Sequence, residues 1–184
     1  MRYFIAFAAM LGLLFLVLFL LFHGSGKPAA PVTHKALSSY SNTDAQAQLT
    51  IDGPVNDDQE HRALRITVGS NAVTFEALQG YQGNVTNTQT FGNNPDAYAN
   101  FLLALAYAGF TQGNNTKAFS DERGRCPLGN RYVFSFSQDG RSIERYWATS
   151  CNGDKTYQGN LGLSLDLFEA QVPNYGQLAQ AAGV

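Results

Sequence analysis

Residues 131–147 read RYVFSFSQDGRSIERYW, and they decide the fold class. Two runs that alternate apolar with polar residues flank Asp139-Gly140, the dipeptide that suits a type I′ turn because both central residues need positive φ. A two-residue loop there sets Tyr132 opposite Trp147, Phe134 opposite Arg145 and Phe136 opposite Ile143. That face is expected to pack on a core, with Arg145 stacked among the aromatics. The other face carries Arg131, Ser135 and Glu144, with Val133 and Tyr146 among them.

The hairpin is bracketed by the chain's two cysteines, Cys126 and Cys151. Strand parity places both sulfurs on one side of the hairpin, offset by two residues. A regular ladder holds such a diagonal about 7–8 Å apart, too far for a disulfide. Pro127 and Gly129 interrupt the ladder at that point and allow the gap to close. The expected bond is structural, clasps the hairpin's open end, and stabilises by about 3–4 kcal/mol on a loop-entropy argument. A redox role is disfavoured, because reactive pairs usually sit as CxxC.

Upstream, Gln48–Ile51 alternates weakly, and Leu64, Ile66 and Val68 alternate with Arg65 and Thr67. After the turn Gly69-Ser70-Asn71, Val73, Phe75 and Ala77 form a second arm, giving another hairpin. Residues Tyr81–Phe91 are Thr-, Asn- and Gln-rich and read as an edge strand or a loop. Asn94 as N-cap, Pro95 in the first turn and Asp96 at the positive end announce a helix. Its apolar face is Tyr98, Phe101, Leu102, Leu105 and Ala106, and Gly109 ends it. A loop then runs from Thr111 to Arg125. Downstream of the hairpin, a Gly/Asn loop leads to a helix over Leu163–Val172, with Leu163, Leu167 and Val172 inward and Pro173 as its stop. Asn174–Val184 is small and polar and reads as a fraying tail. The order predicts an α+β domain: an antiparallel sheet of two hairpins with two helices packed on one face.

At the other end, Tyr3–Phe22 holds no charge and no Pro. At about 1.5 Å per residue these twenty residues match a hydrocarbon core of about 30 Å. The run predicts an N-terminal transmembrane helix over residues 1–22. It is longer than the usual signal-peptide core of about 7–15 residues, which favours an uncleaved anchor, although Gly24-Ser25-Gly26 offers small residues to a signal peptidase. Arg2 before the run and the paired cysteines after it favour a cytoplasmic N-terminus. Residues 23–47, rich in Gly, Pro, Ser and Ala, read as a flexible linker. The folded domain is then 48–176 and the tail 177–184. The expected localisation is the cell membrane, single-pass, with the C-terminal domain outside the cytoplasm and the lipid bilayer as first partner.

Charge narrows the function. The net charge of −2 argues against nucleic acid, whose phosphates need Lys/Arg to neutralise them. The three histidines, His23, His34 and His61, have no metal-ligand spacing, so neither a zinc site nor a His-based catalytic centre is expected. Asp57, Asp58 and Glu60 lack the alternating spacing of a calcium loop. No cofactor fingerprint or catalytic motif is present. Asp121-Glu122 is the carboxylate pair that a hydrolase of envelope polymer would need, though adjacent acids in a loop are more often solvated surface. Arg123, Arg125, Arg131, Arg141 and Arg145 cluster within 23 residues. Arg123, Arg125, Arg131 and Arg141, with Tyr146 and Tyr157, form the candidate binding surface, for an envelope polymer or a protein partner. Tyr81, Tyr107 and Tyr175 extend the tyrosine-rich set, and Tyr offers contact area at low entropy cost. The reading favoured is a non-catalytic binding or cell-envelope module.

The elements Cys126-Pro127, Gly129, Arg131-Tyr132, Trp147, Ser150-Cys151, Leu167-Phe168 and Pro173-Asn174-Tyr175 resemble those of a family of uncharacterised single-pass extracytoplasmic proteins. That family is found in ultrasmall, reduced-genome bacteria of the Saccharibacteria type. The resemblance spans roughly residues 60–176 and the anchor, and it implies location rather than activity. The hairpin–helix–hairpin–helix order, with Ala108-Gly109-Phe110, is also similar to emfourin-like protease-inhibitor domains. That implies extracytoplasmic protease inhibition as an alternative function, on layout alone.

Overall fold

A computed structural model of the chain describes Gly12, residues 35–114 and residues 121–184. The apolar run Tyr3–Phe22, apart from Gly12, lies outside the described residues, as does the linker before Lys35. Among the described residues no helix is long and apolar enough to cross a membrane. The unit Lys35–Val184 carries everything below.

Six strands form one open antiparallel sheet. They are β1 (Gln46–Asp52), β2 (Arg62–Gly69), β3 (Ala72–Gln79), β4 (Asn84–Gly92), β5 (Arg131–Gln138) and β6 (Arg141–Thr149). Their order is β4-β3-β2-β1-β5-β6. The two hairpins are therefore not separate. β1 lies between them and pairs with β2 on one side and β5 on the other. The Thr/Asn/Gln stretch resolves as β4, an edge strand; its exposed polar side chains suit an edge.

Among the described residues three α-helices complete the α+β fold, one more than expected after the linker: α1 (Pro95–Tyr107), α2 (Leu161–Glu169) and α3 (Tyr175–Ala182). α1 starts where its signals place it, with Asn94 Oδ1 accepting from Ala97 N at 2.9 Å. Tyr98, Phe101, Leu102 and Leu105 are buried, while Ala106 is exposed and the next inward residue is Ala108. α2 begins two residues before the expected Leu163, capped by Asn160 Oδ1, which accepts from Leu163 N at 3.1 Å. That start turns Ser164 and Phe168 inward and leaves Leu163 42 % exposed. The stretch read as a fraying tail forms α3, because Ala179 and Ala182 dock on the core. The stretch read as linker contributes structure from Lys35 on. Leu37–Tyr40 makes one 3₁₀ turn with Leu37 buried, and the Tyr40 ring meets Phe136 edge-on at 5.1 Å.

The core lies between one sheet face and the helices. Three rows cross that face: Ile51 with Leu64 and Ala77, Leu49 with Ile66 and Phe75, Ala47 with Val68 and Val73. Phe134, fully buried, meets Phe110 edge-on at 5.9 Å and Tyr157 at 4.5 Å. Each such side chain stabilises by about 1.5–3 kcal/mol through area removed from water.

The decisive hairpin departs from the simple ladder. Asp139-Gly140 does form the two-residue loop, with Gln138 opposite Arg141 and Ser137 opposite Ser142. The register then shifts by one, so that Phe136 faces Glu144, Phe134 faces Tyr146, Val133 faces Trp147 and Tyr132 faces Ala148. A bulge reverses the side on which every later β6 residue points. Glu144, Tyr146 and Ala148 therefore join the core face, while Arg145 and Trp147 move to the opposite one. Tyr146 becomes a core residue whose hydroxyl donates to Glu144 Oε2 at 2.5 Å. Arg145 does not stack on Phe134 but pairs with Glu122.

The disulfide Cys126–Cys151 is present, with Cα atoms 5.7 Å apart. The shared-face argument for it fails, since the bulge puts Tyr132 and Trp147 on opposite faces. The bond forms because both cysteines lie beyond the strand ends. Cys126 takes φ 48° in a tight turn closed by Gly129 N donating to Cys126 O at 3.1 Å. A Cβ at Gly129 would collide with Ser150 Oγ and Cys126 Sγ, so only glycine lets the turn lie against the bridge.

Candidate functional site

The face of the sheet turned away from the helices carries the candidate site. A cleft of about 580 Å³ opens there, within the common range of about 300–1,000 Å³ for ligand pockets. Its floor is Thr50 and Asp52 of β1, Ala63 of β2, Leu78 of β3 and Arg131 of β5. Tyr81 to Gly83, in the turn between β3 and β4, form one wall. Glu122 to Gly124 form another.

The floor is built on a buried charge cluster. Arg131 opens β5 opposite Asp52 and is only 2 % exposed. Its Nε donates to Asp52 Oδ2 at 2.8 Å, and its Nη2 donates to Gly53 O at 2.6 Å and reaches Asp52 Oδ2 at 2.6 Å. The other oxygen, Asp52 Oδ1, lies 2.7 Å from His61 Nε2. His61 Nδ1 lies 3.2 Å from Pro54 O, which can only accept. Both ring nitrogens thus lie within hydrogen-bond reach of an oxygen. Neither ring nitrogen is left without a contact, and both Asp52 oxygens are engaged.

Among the described residues, two buried side-chain atoms have no hydrogen-bond partner: Arg131 Nη1 and Glu122 Oε2. Both are buried, and both residues border the cleft. Glu122 is tethered through its other oxygen to Arg145. Buried polar atoms are otherwise almost always paired.

The walls are stiff. The Tyr81 ring is 49 % exposed yet fixed at several points. It stacks on His61 with centroids 4.1 Å apart. Its hydroxyl donates to Asn56 O at 2.9 Å and accepts from Asn56 N at 3.0 Å. Its backbone N donates to Asp58 Oδ1 at 2.7 Å, so Asp58 is a turn cap, as is Asp57, which accepts from Gln59 N. Opposite, the 122–124 wall is held by the Cys126–Cys151 bridge, by Arg125–Asp154 at 2.6 Å and by Arg145–Glu122. Pro127 O accepts from Val55 N at 2.8 Å, joining the disulfide turn to the cleft rim.

The residues selected from sequence do not form one surface. Arg123 and Arg131 both border the cleft. Arg131, expected on an open outer face, is buried because Asp52 and Gly53 enclose its guanidinium. Arg125 sits at the disulfide turn, and Arg141 is exposed at the β5–β6 hairpin tip. Tyr146 and Tyr157 are core residues, 5 % and 1 % exposed. Burial pushes the hydroxyl pKa of each upward, and the Glu144 carboxylate adds to the effect at Tyr146. Tyr107 is 83 % exposed, at the end of α1. Asp52, His61 and Tyr81 were not joined in the sequence reading. The faint signal for them was parity: His61 shares a strand face with Ala63 and Arg65, opposite the inward Leu64 and Ile66.

The fold and site define an α+β domain with one helix-covered sheet face and one open, cleft-bearing face. Compared with known proteins, the chain matches no family model and no curated sequence.

Proposed function

We propose that this chain is a membrane-tethered extracytoplasmic binding module that holds a ligand in the Asp52–His61–Arg131 cleft without converting it. One observation carries the reading: a pre-built cleft bordered by a buried guanidinium and a carboxylate that each keep one unpartnered atom, while every other polar group of the cluster is locked. Stiff walls lower the ordering cost of binding. The tether rests on the uncharged run Tyr3–Phe22 and on the disulfide, which suits an oxidising compartment.

Placing a photo-crosslinking residue at Gln82, an exposed position on the cleft rim, tests the site. In the native envelope it is expected to yield a defined adduct that the same residue at Arg141 does not. Equal labelling from both positions would refute the cleft. Mass spectrometry is expected to find the intact N-terminus in the membrane fraction; a mature start near Lys27 in membrane-free medium would remove the tether.

A carboxylate-dependent hydrolase is the alternative that Glu122 Oε2 favours, because that oxygen has no hydrogen-bond partner. Asp121, the partner expected for it, is not in the cleft lining. Asp121 is exposed, and hydrogen bonds from Arg123 hold its carboxyl at about 2, so it is ionised at neutral pH and cannot serve as the acid. Turnover of an envelope polymer that Glu122→Gln abolishes would establish the hydrolase instead.

A further inference from the structure

We propose that the ligand of this cleft is a neutral saccharide, an inference that rests on the binding-module reading above. Charge balance comes first. The lining holds two carboxylates, Asp52 and Glu122, and two guanidiniums, Arg123 and Arg131. All four are already in ion pairs: Asp52 with Arg131, Glu122 with Arg145, and Arg123 with Asp121. A polyanion would meet two carboxylates and only neutralised cations. A polycation would meet two guanidiniums. Neither finds the one-signed surface that attracts it.

Two residues of the lining each keep one buried polar atom without a partner, the donor Arg131 Nη1 and the acceptor Glu122 Oε2. A hydroxyl both donates and accepts, so neighbouring hydroxyls of one sugar ring can satisfy both. The two atoms are buried, so engaging them requires the Glu122 side chain to turn about its single tether to Arg145 while the backbone of its wall stays fixed. Tyr81 is the second element. An aromatic ring that is half exposed and yet pinned at its hydroxyl, its backbone and one face is a rigid apolar platform for the C–H face of a sugar.

The surroundings agree. Across the same open face, Thr67, Thr74 and Thr90 line up in register, and Thr88 lies beside Glu76. The floor beyond the cleft is thus hydroxyl-rich, and its one charged pair, Arg65–Glu76, is closed at 2.8 Å. A peptide backbone also offers a donor and an acceptor, but extended peptides add to sheet edges, and this cleft lies over the ends of β1, β2, β3 and β5, none of which is an edge strand.

The test is calorimetric titration of the full chain in detergent micelles. The probes are tetramers of β-1,4-linked N-acetylglucosamine, β-1,4-linked glucose and α-1,4-linked glucose, beside a glycerol-phosphate tetramer and an uncharged tetrapeptide. At least one saccharide is expected to bind, with affinity unchanged between about 50 and about 500 mM salt, since a neutral ligand feels no screening. Tyr81→Leu is expected to weaken it about three- to tenfold, the scale of one aromatic contact. Should that variant not fold, saturation transfer from the Tyr81 ring protons to the sugar in the unaltered chain replaces it. Binding of the peptide or the phosphate polymer alone, weakened by Tyr81→Leu, would overturn the saccharide and leave the binding module standing. Binding of none would overturn the saccharide too, and the Gln82 crosslink then decides the module separately.

Discussion

Replacing Arg131 by Met probes the cluster on which the site is built. The substitution removes two charge-assisted contacts to Asp52 and one hydrogen bond to Gly53 O. Removing one partner of a buried ion pair costs about 3–5 kcal/mol. Asp52 keeps His61 and is 28 % exposed, which puts the loss at the low end, about 3 kcal/mol. At about 2–4 °C per kcal/mol for a protein of this size, Tm falls by about 6–12 °C. Asp52→Asn is the harsher change, because it strands a guanidinium that is 2 % exposed; about 4–5 kcal/mol is expected. Independent effects would sum to about 7–8 kcal/mol in the double variant. The pair is in contact, so the double variant is expected to lose only about 5, a coupling of about 2–3 kcal/mol. Urea unfolding measures this, read by the fluorescence of the single Trp147, which is 1 % exposed and reddens on unfolding. Additivity within about 0.5 kcal/mol would refute the claim that the cluster acts as a unit.

Replacing Cys126 and Cys151 by Ser opens a loop with a sequence separation of 25, which costs about 3.5 kcal/mol on loop entropy and lowers Tm by about 7–14 °C; an unchanged Tm would show the bridge to be dispensable. At the hairpin tip, the Asp139 carboxyl is raised by its hydrogen bond to Asp44 and by repulsion from it. A raised folded-state pKa gives stability that is complete below the unfolded carboxylate value of about 3.9 and lost as pH rises through the folded value. Asp139→Asn, a residue that also tolerates φ 50°, is therefore expected to gain Tm over the parent at pH 7 and to show a smaller gain at pH 3, by thermal scans. The same difference at both pH values would exclude the carboxyl pair.

The local signals were legible because they act over a few residues. Asn94 and Pro95 state a helix start through one cap bond, and Asp139-Gly140 states a turn through two backbone angles. The alternation at 64–68 and 73–77 states a half-buried hairpin. Asn160 was readable by the same logic and was passed over, which displaced α2 and put Leu163 on the wrong side. The tail was misread for another reason: YGQLAQAA has little apolar area, and only the core surface beneath Ala179 and Ala182 makes α3 worth forming.

The candidate site was largely illegible, since it is made of long-range pairings. Asp52 and Arg131 are 79 residues apart and meet because β1 lies between the two hairpins, a pairing choice that no single strand encodes. The bulge after Phe136 sends Arg145 to the open face, where it holds Glu122 over the cleft, and sends Tyr146 to the core.

By itself, then, the amino-acid order determined the α+β class, the two hairpins and the first helix, which follow from short-range geometry and side-chain period, and the pairing of the cysteines, which follows from there being two of them. The tertiary structure alone decided which sheet face stays open, which arginine is buried, and which tyrosine is left at a rim. Those outcomes depend on one-residue register shifts and on the desolvation of charges brought together from distant strands, and neither leaves a mark on the local sequence.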